Sequence, residues 1–315
     1  MGKKKSWLHF FIIMIVFVGL GFFLANRSSI NPLQPTALLQ PHILVHELKG
    51  VILGNRKWME QVEPYVRKFN IKAVVFIVNS PGGVVGPSQE LYEFLRRIRT
   101  ELKKPVVVFS SHVLASGAYY MALGADKIVV NPGTLVGSIG VILEFLNLEG
   151  LYHFAKIQRY SITSGKYKDS GAEYRSMRED EKRLFNDLVM NVYQQFANTV
   201  KETRGLSDEE LSQVADGRVF SGDQALQAKL IDSTGTLDTA IKLAAEAANL
   251  SHYELFYIPK EEPSIFDLFF RKEEFETGEE AWQQAINFVR LKLRPSLSGL
   301  PLFLLPGVME THWIE

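Results

Sequence analysis

Val74-Val75-Phe76-Ile77-Val78-Asn79-Ser80-Pro81-Gly82-Gly83 is the most informative run in the chain. Its first half is β-branched and aromatic without alternation, the pattern of a strand buried on both faces, and it stops abruptly at a Pro-Gly-Gly loop. Working outward, Ile43–Leu48 suits an earlier strand, and Lys57–Phe69 carries apolar residues at helical spacing. On the other side a helix is expected over Ser88–Glu101, then a break at Lys103-Lys104-Pro105 and a second buried strand at Val106–Phe109. A small-residue helix over Ala115–Gly124, a third strand at Lys127–Val130 and a fourth at Ala155–Ile162 follow. Glu179–Arg204 and Leu237–Leu250 read as amphipathic helices. Strands and helices alternating in this way predict an α/β domain of right-handed crossover units.

Composition narrows the function. Lys plus Arg and Asp plus Glu both total 35, so the formal charge is zero and no nucleic-acid footprint is expected. There is no cysteine, which excludes a thiol nucleophile, a Cys-based zinc site and a disulfide framework. Trp7–Ala25 is a run of nineteen residues without Asp, Glu, Lys or Arg, preceded by Lys3, Lys4 and Lys5. As a helix it spans about 28 Å, enough for a bilayer core, and the lysines place the N-terminus in the cytoplasm and the rest outside. Residues 1–26 are thus expected to be a Lys-rich stub and membrane anchor, 27–42 a linker, 43–250 the folded domain, and 251–315 an extension without catalytic signals.

Three loops that follow expected buried strands hold the unusual residues, and such strand ends are where open α/β sheets bind ligands. In the first, Gly82 and Gly83 let the backbone approach a ligand and aim N–H groups at an oxygen. In the second, Ser116-Gly117 opens a helix, and Ser116 is either a helix cap or a nucleophile whose following N–H stabilises an oxyanion. The third, Ser164-Gly165-Lys166-Tyr167-Lys168-Asp169, offers a lysine that could serve as base if desolvation lowers its pKa from about 10.4 toward 7–8. Asp169 opposes this by favouring the ammonium if it touches the amine.

Taken together these stretches resemble signal peptide peptidase A, a bacterial membrane-bound Ser-Lys peptidase family, in its short form. The resemblance rests on VVFIVNSPGG (74–83), ASGAYY (115–120), GTLVGSIGV (133–141), SGKYKDSG (164–171) and DGRVFSG (216–222), in that order. It implies the ClpP/crotonase-like fold of repeated ββα units, with Ser116 as nucleophile and Lys168 as base. It further implies that the Gly83 and Gly117 amides form the oxyanion hole and that Ser138 orients the lysine. No metal or cofactor is implied. The implied substrates are signal-peptide remnants and other unfolded apolar peptides. The implied setting is the outer face of the bacterial cytoplasmic membrane, in a homo-oligomeric ring whose neighbours share the dyad.

Other readings remain open on sequence alone. His112 or His153 could replace the lysine in a Ser-His-Asp arrangement, and Lys166 competes with Lys168. Paired backbone amides would equally suit a crotonase-like acyl-CoA enzyme, and a non-catalytic membrane scaffold could use the same fold.

Overall fold

The structure, a computed structural model, describes residues 40–259 and the backbone of Leu302–Leu304. The expected membrane helix Trp7–Ala25, most of the linker and most of the C-terminal extension lie outside the described residues. Among the described residues no helix is long and apolar enough to cross a membrane.

In chain order the elements are β1 (His42–Lys49), α1 (Arg56–Val66), β2 (Ile71–Asn79), β3 (Gly82–Val84), α2 (Val85–Thr100), β4 (Val106–Ser110), β5 (Val113–Ala115), α3 (Gly117–Ala122), β6 (Lys127–Val130), β7 (Leu135–Gly137) and α4 (Glu149–Phe154). They continue with α5 (Glu179–Arg204), α6 (Asp208–Val214), β8 (Val219–Phe220), α7 (Gly222–Gln227), β9 (Ser233–Thr234), α8 (Leu237–Ala247), β10 (Glu254–Tyr257) and β11 (Leu302–Leu304). The fold is mixed α/β. Its main sheet runs β10-β1-β2-β4-β6-β9, and every pairing in it is parallel.

The apolar runs that signalled buried strands are covered on both faces. On β1, β2, β4 and β6, Leu44, Leu48, Val74, Phe76, Val78, Val106, Val108, Ile128 and Val130 enter a core with side chains of α1, α2, α3 and α5. The alternate residues Ile43, Val45, Ala73, Val75, Val107, Phe109 and Val129 pack against Ala240, Ile241, Ala244 and Ala245 of α8. A strand's side chains alternate between faces, so a sheet covered twice needs apolar residues at every position.

Two short sheets stand beside the main one. β5 pairs parallel with β7, which pairs antiparallel with β8. β3 pairs antiparallel with β11. The helix expected over Ser88–Glu101 begins earlier, at Val85, because Pro87 falls in the first turn, where its missing N–H would have no intrahelical acceptor. The helix expected from Ala115 begins instead at Gly117, with Ala115 ending a strand.

One expected strand is absent. Ala155–Ile162 is irregular, and every residue from His153 to Lys168 is exposed. Ile157 and Ile162 supply β propensity, but among the described residues this segment pairs with no other strand, and ladder partners rather than propensity decide a strand.

Candidate active site

The site is built where the main-sheet strands end. Asn79 closes β2, and its Oδ1 accepts from Ser110 Oγ and from the backbone N–H groups of Ser111 and His112, each at 3.1 Å. This buried amide therefore fixes the turn that sends the chain from β4 into β5. Ser80 continues the tie, its N–H donating to Val113 O at 2.8 Å and its carbonyl accepting from Ala115 N at 3.2 Å.

Ser116 follows directly. It is fully buried, and its backbone sits at φ 53°, ψ −119°, a conformation that costs a non-glycine residue about 1–3 kcal/mol. The hydroxyl makes no capping bond to α3, and Ser116 Oγ has no hydrogen-bond partner among the described residues. The bland reading of this serine as a helix cap is therefore not realised. A strained residue at a strand-to-helix turn, with a buried and unpartnered hydroxyl, is the arrangement of a nucleophile elbow. Gly117 is the first residue of α3, so its N–H has no intrahelical acceptor and is available beside Ser116.

Ser138 lies alongside. Ala115 of β5 stands opposite Gly137 of β7, and Ser116 N donates to Gly137 O at 2.7 Å. Each strand is thus followed by a buried serine with positive φ, 53° at Ser116 and 50° at Ser138.

The two glycines after Ser80 serve different needs. Gly82 has φ 103°, which turns the chain, and its N–H donates to Ser80 Oγ at 3.2 Å. Gly83 has no room for a side chain, since a Cβ there would lie 2.0 Å from Ile52 O. Ile52 bonds the residues on either side of it: its N–H donates to Gly82 O at 2.9 Å and its carbonyl accepts from Val84 N at 2.7 Å. Successive residues in a strand aim their amides to opposite edges, so the Gly83 N–H points to the other edge of β3, the one at which β11 lies antiparallel with Phe303 opposite Gly83.

The lysine loop is held from the start of α5. Arg175 Nε donates to Asp169 Oδ2 at 3.2 Å and its Nη2 to Asp169 O at 3.0 Å. The same guanidinium reaches both oxygens of Glu181, at 2.9 and 2.6 Å. Arg178 Nη2 donates to Lys166 O at 2.8 Å and pairs with Glu181 at 2.7 Å. Glu181 is fully buried, and the Arg175 guanidinium beside it holds its carboxyl at about 2. Arg175 likewise holds Asp169 below the usual carboxylate range. Lys166 pairs with Asp180 at 2.7 Å, which raises the Lys166 pKa and lowers that of Asp180 to about 2.

Among the expected site residues the structure brings together Ser116, Gly117 and Ser138, with Gly82 and Gly83 one strand connection away. It does not join Lys168 to them within the chain. Lys168 is exposed, forms no ion pair among the described residues, and leaves Ser116 Oγ without a bond. Nor does a histidine serve: His112 is exposed with Nδ1 bonded to Ser111 Oγ at 2.7 Å. His153 lines a separate cavity of about 630 Å³ with Glu149, Arg159, Tyr160 and Arg175, away from Ser116. The Arg175–Glu181 pair escaped the sequence reading because Arg178-Glu179-Asp180-Glu181-Lys182-Arg183 looks like a solvated charge run; only folding buries its fourth member.

The profile described as Peptidase family S49 matches residues 99–251, a span that contains Ser116, Ser138 and Lys168 and begins after Gly83. A Methanocaldococcus jannaschii protein bearing a protease name is 35% identical over 68% of this chain and 68% of its own length. A Synechocystis protein, also bearing a protease name, is 38% identical over 65% of this chain and 73% of its own. The chloroplastic serine protease SPPA of Arabidopsis thaliana is 34% identical over 61% of this chain and 28% of its own.

Proposed function

This chain belongs to peptidase family S49, and from that premise we propose that it is an endopeptidase of Ser-Lys mechanism with Ser116 as nucleophile and Lys168 as general base. The observation that carries the reading is Ser116 itself, a buried serine in a strained turn whose hydroxyl no other group among the described residues uses. Its free Oγ is supported by neighbours of the right chemistry: the Gly83 and Gly117 amides for an oxyanion, and Ser138 beside it to orient an incoming amine.

The chemistry balances without a cofactor. Lys168, as the neutral amine, takes the Ser116 proton while Oγ bonds to the peptide carbonyl carbon, and the resulting oxyanion is met by the two amides. The C–N bond then breaks, the lysine returns its proton to the leaving amine, and an acyl-serine remains. Water, deprotonated by Lys168, attacks the ester; Oγ leaves, recovers a proton and frees the carboxylate product. Lys166, paired with Asp180, is the poorer candidate because its charge is stabilised.

The separation of Ser116 from Lys168 within one chain supports a site completed between subunits of a homo-oligomeric ring. Leu151, Phe154, Ile157, Tyr160 and Ile162, all exposed on the segment leading to Lys168, supply apolar surface for such a contact. Substrates are proposed to be signal-peptide remnants and other unfolded apolar peptides. Support for an extended peptide comes from β3, whose edge beside Gly83 already takes an antiparallel strand, the chain's own β11, so a peptide bound in the same way would take the place of β11. The successive units β2-β3-α2, β4-β5-α3 and β6-β7-α4 fit a ClpP/crotonase-like fold of ββα repeats over residues 43–250. We place this domain on the outer side of the bacterial cytoplasmic membrane, held by a single anchor within residues 1–26 with the N-terminus in the cytoplasm.

The test is covalent labelling of the full chain by a serine-reactive phosphonate, followed by peptide mapping. Modification confined to Ser116, with loss of peptide hydrolysis in step with labelling, is expected. A fully labelled chain modified elsewhere, or full inertness of a chain that cleaves peptides, would overturn the assignment.

A further inference from the structure

The geometry points to Glu181 and Arg175 as positioning residues that hold the Lys168 loop in place and keep the Asp169 carboxylate turned away from the Lys168 amine. This rests on the assignment of Lys168 as base and adds what makes that base usable.

The clamp grips the loop on both sides of Lys168. Before it, Lys166 is held by its carbonyl to Arg178 and by its amine to Asp180. After it, Asp169 is held by both its carbonyl and its carboxylate to Arg175. Among the described residues Lys168 is bonded only through its backbone, its N–H donating to Gly165 O at 3.1 Å. Its amine meets no partner among the described residues, while its neighbours are fixed.

Glu181 is what makes Arg175 a rigid tool. The carboxylate is fully buried, receives both arms of the Arg175 fork and the Arg178 guanidinium, and accepts from the Arg178 N–H at 2.9 Å. A planar guanidinium bonded twice to a buried carboxylate has its remaining donor aimed in one direction. That direction is Asp169. The charged groups facing the loop are therefore Lys166, Asp169, Arg175, Arg178, Asp180 and Glu181, with the Tyr174 hydroxyl 3.5 Å from Asp169. Glu179 pairs outward with Lys182 at 2.6 Å and takes no part. In this set Asp169 is the one carboxylate adjacent in sequence to the base, and an unpaired carboxylate beside an amine stabilises its ammonium form.

The experiment uses the full-length protein. Glu181→Gln removes the charge that locks Arg175, and Arg175→Lys, a milder change, removes the fork; either suffices if the other does not fold. In a folded variant the expected result is a kcat lower by about tenfold or more with KM within about twofold, because the base is displaced and not the substrate. The acidic limb of kcat/KM should move up by about one pH unit as Asp169 swings free to pair with Lys168. Adding Asp169→Asn to Glu181→Gln should return that limb to its wild-type position, and Glu181→Asp should recover part of kcat.

A structural role alone would lower activity without moving the limb, and that outcome overturns the proposal, as does a folded variant of unchanged kcat and pH profile. The Lys168 amine is followed separately by NMR on ¹³C-methylated protein, its resonance identified by its loss in Lys168→Ala. A higher amine titration in Glu181→Gln than in wild type supports the clamp even if Lys168→Ala stays active, which would sink the base assignment instead. An unchanged titration rejects the clamp.

Discussion

The backbone N–H of Ser116 donates to the carbonyl of Gly137 at 2.7 Å, and this bond sets two buried serines with positive φ side by side. Ser116 follows β5 and Ser138 follows β7, so the parallel register of two three-residue strands places the proposed nucleophile and the group proposed to orient its base. Neither hydroxyl position depends on a loop free to wander.

The strain at Ser116 gives a test that a helix cap would fail. Ser116→Ala and Ser116→Gly should both abolish hydrolysis, but the glycine variant should be the more stable by about 1 kcal/mol, because only glycine is at ease at this backbone conformation. Thermal melts should then separate the two by about 2–4 °C. A more stable alanine variant would mean the turn is not strained.

Lys168→Ala should be inactive and Lys166→Ala should keep most of its rate, since Lys166 is tied to Asp180. Lys168→Arg should fail as well, because arginine stays protonated and cannot accept the serine proton. Steady-state kinetics on the three variants decides it, and an active Lys168→Ala with a dead Lys166→Ala would reverse the assignment.

Gly83→Ala puts a methyl group 2.0 Å from Ile52 O, so β3 must move. Overpacking of this kind costs about 1–3 kcal/mol, and displacing Gly83 as the proposed oxyanion donor should cost about 10²–10³ in kcat. Denaturant unfolding together with kinetics should therefore find activity falling far more than stability. Gly54→Ala, with open space around it, is the control and should change neither.

Mixing two inactive chains tests whether subunits share the site. If each site draws its serine from one protomer and its lysine from the next, random co-assembly of equal amounts of Ser116→Ala and Lys168→Ala restores about one quarter of wild-type activity. Sites formed within one chain restore none. Native mass spectrometry of the mixture verifies co-assembly before activity is read.

Acid should loosen the lysine loop. Arg175 lowers the Glu181 pKa from an ordinary 4.5 to about 2 in the folded chain. A depressed carboxyl pKa contributes stability that is present above 4.5 and is lost as pH falls toward 2. Urea unfolding followed across that window should show stability declining with acid, and Glu181→Gln should decline less steeply over the same range. Equal slopes in the two proteins would contradict the buried pairing.

By itself the sequence determined the elements whose signal is local. β2, β4 and β6 were legible because a strand covered on both faces must be apolar at every position, and Glu179–Arg204 because helical periodicity over that length has no rival reading. Family motifs singled out Ser116, Gly83, Gly117, Ser138 and Lys168, and the first four lie on elements that the sheet ends bring near one another. Ala155–Ile162 misled because propensity is local and ladder bonding is not. The tertiary structure alone decided that Ser116 is strained and its hydroxyl unpartnered among the described residues, since dihedral angles follow from the β5–β7 register and not from residue type. It alone decided that Asp169 faces Arg175, and that Glu181, one acid in a charged run, is buried. Burial and charge pairing depend on which surfaces meet after the chain has folded, and no spacing along the sequence records that.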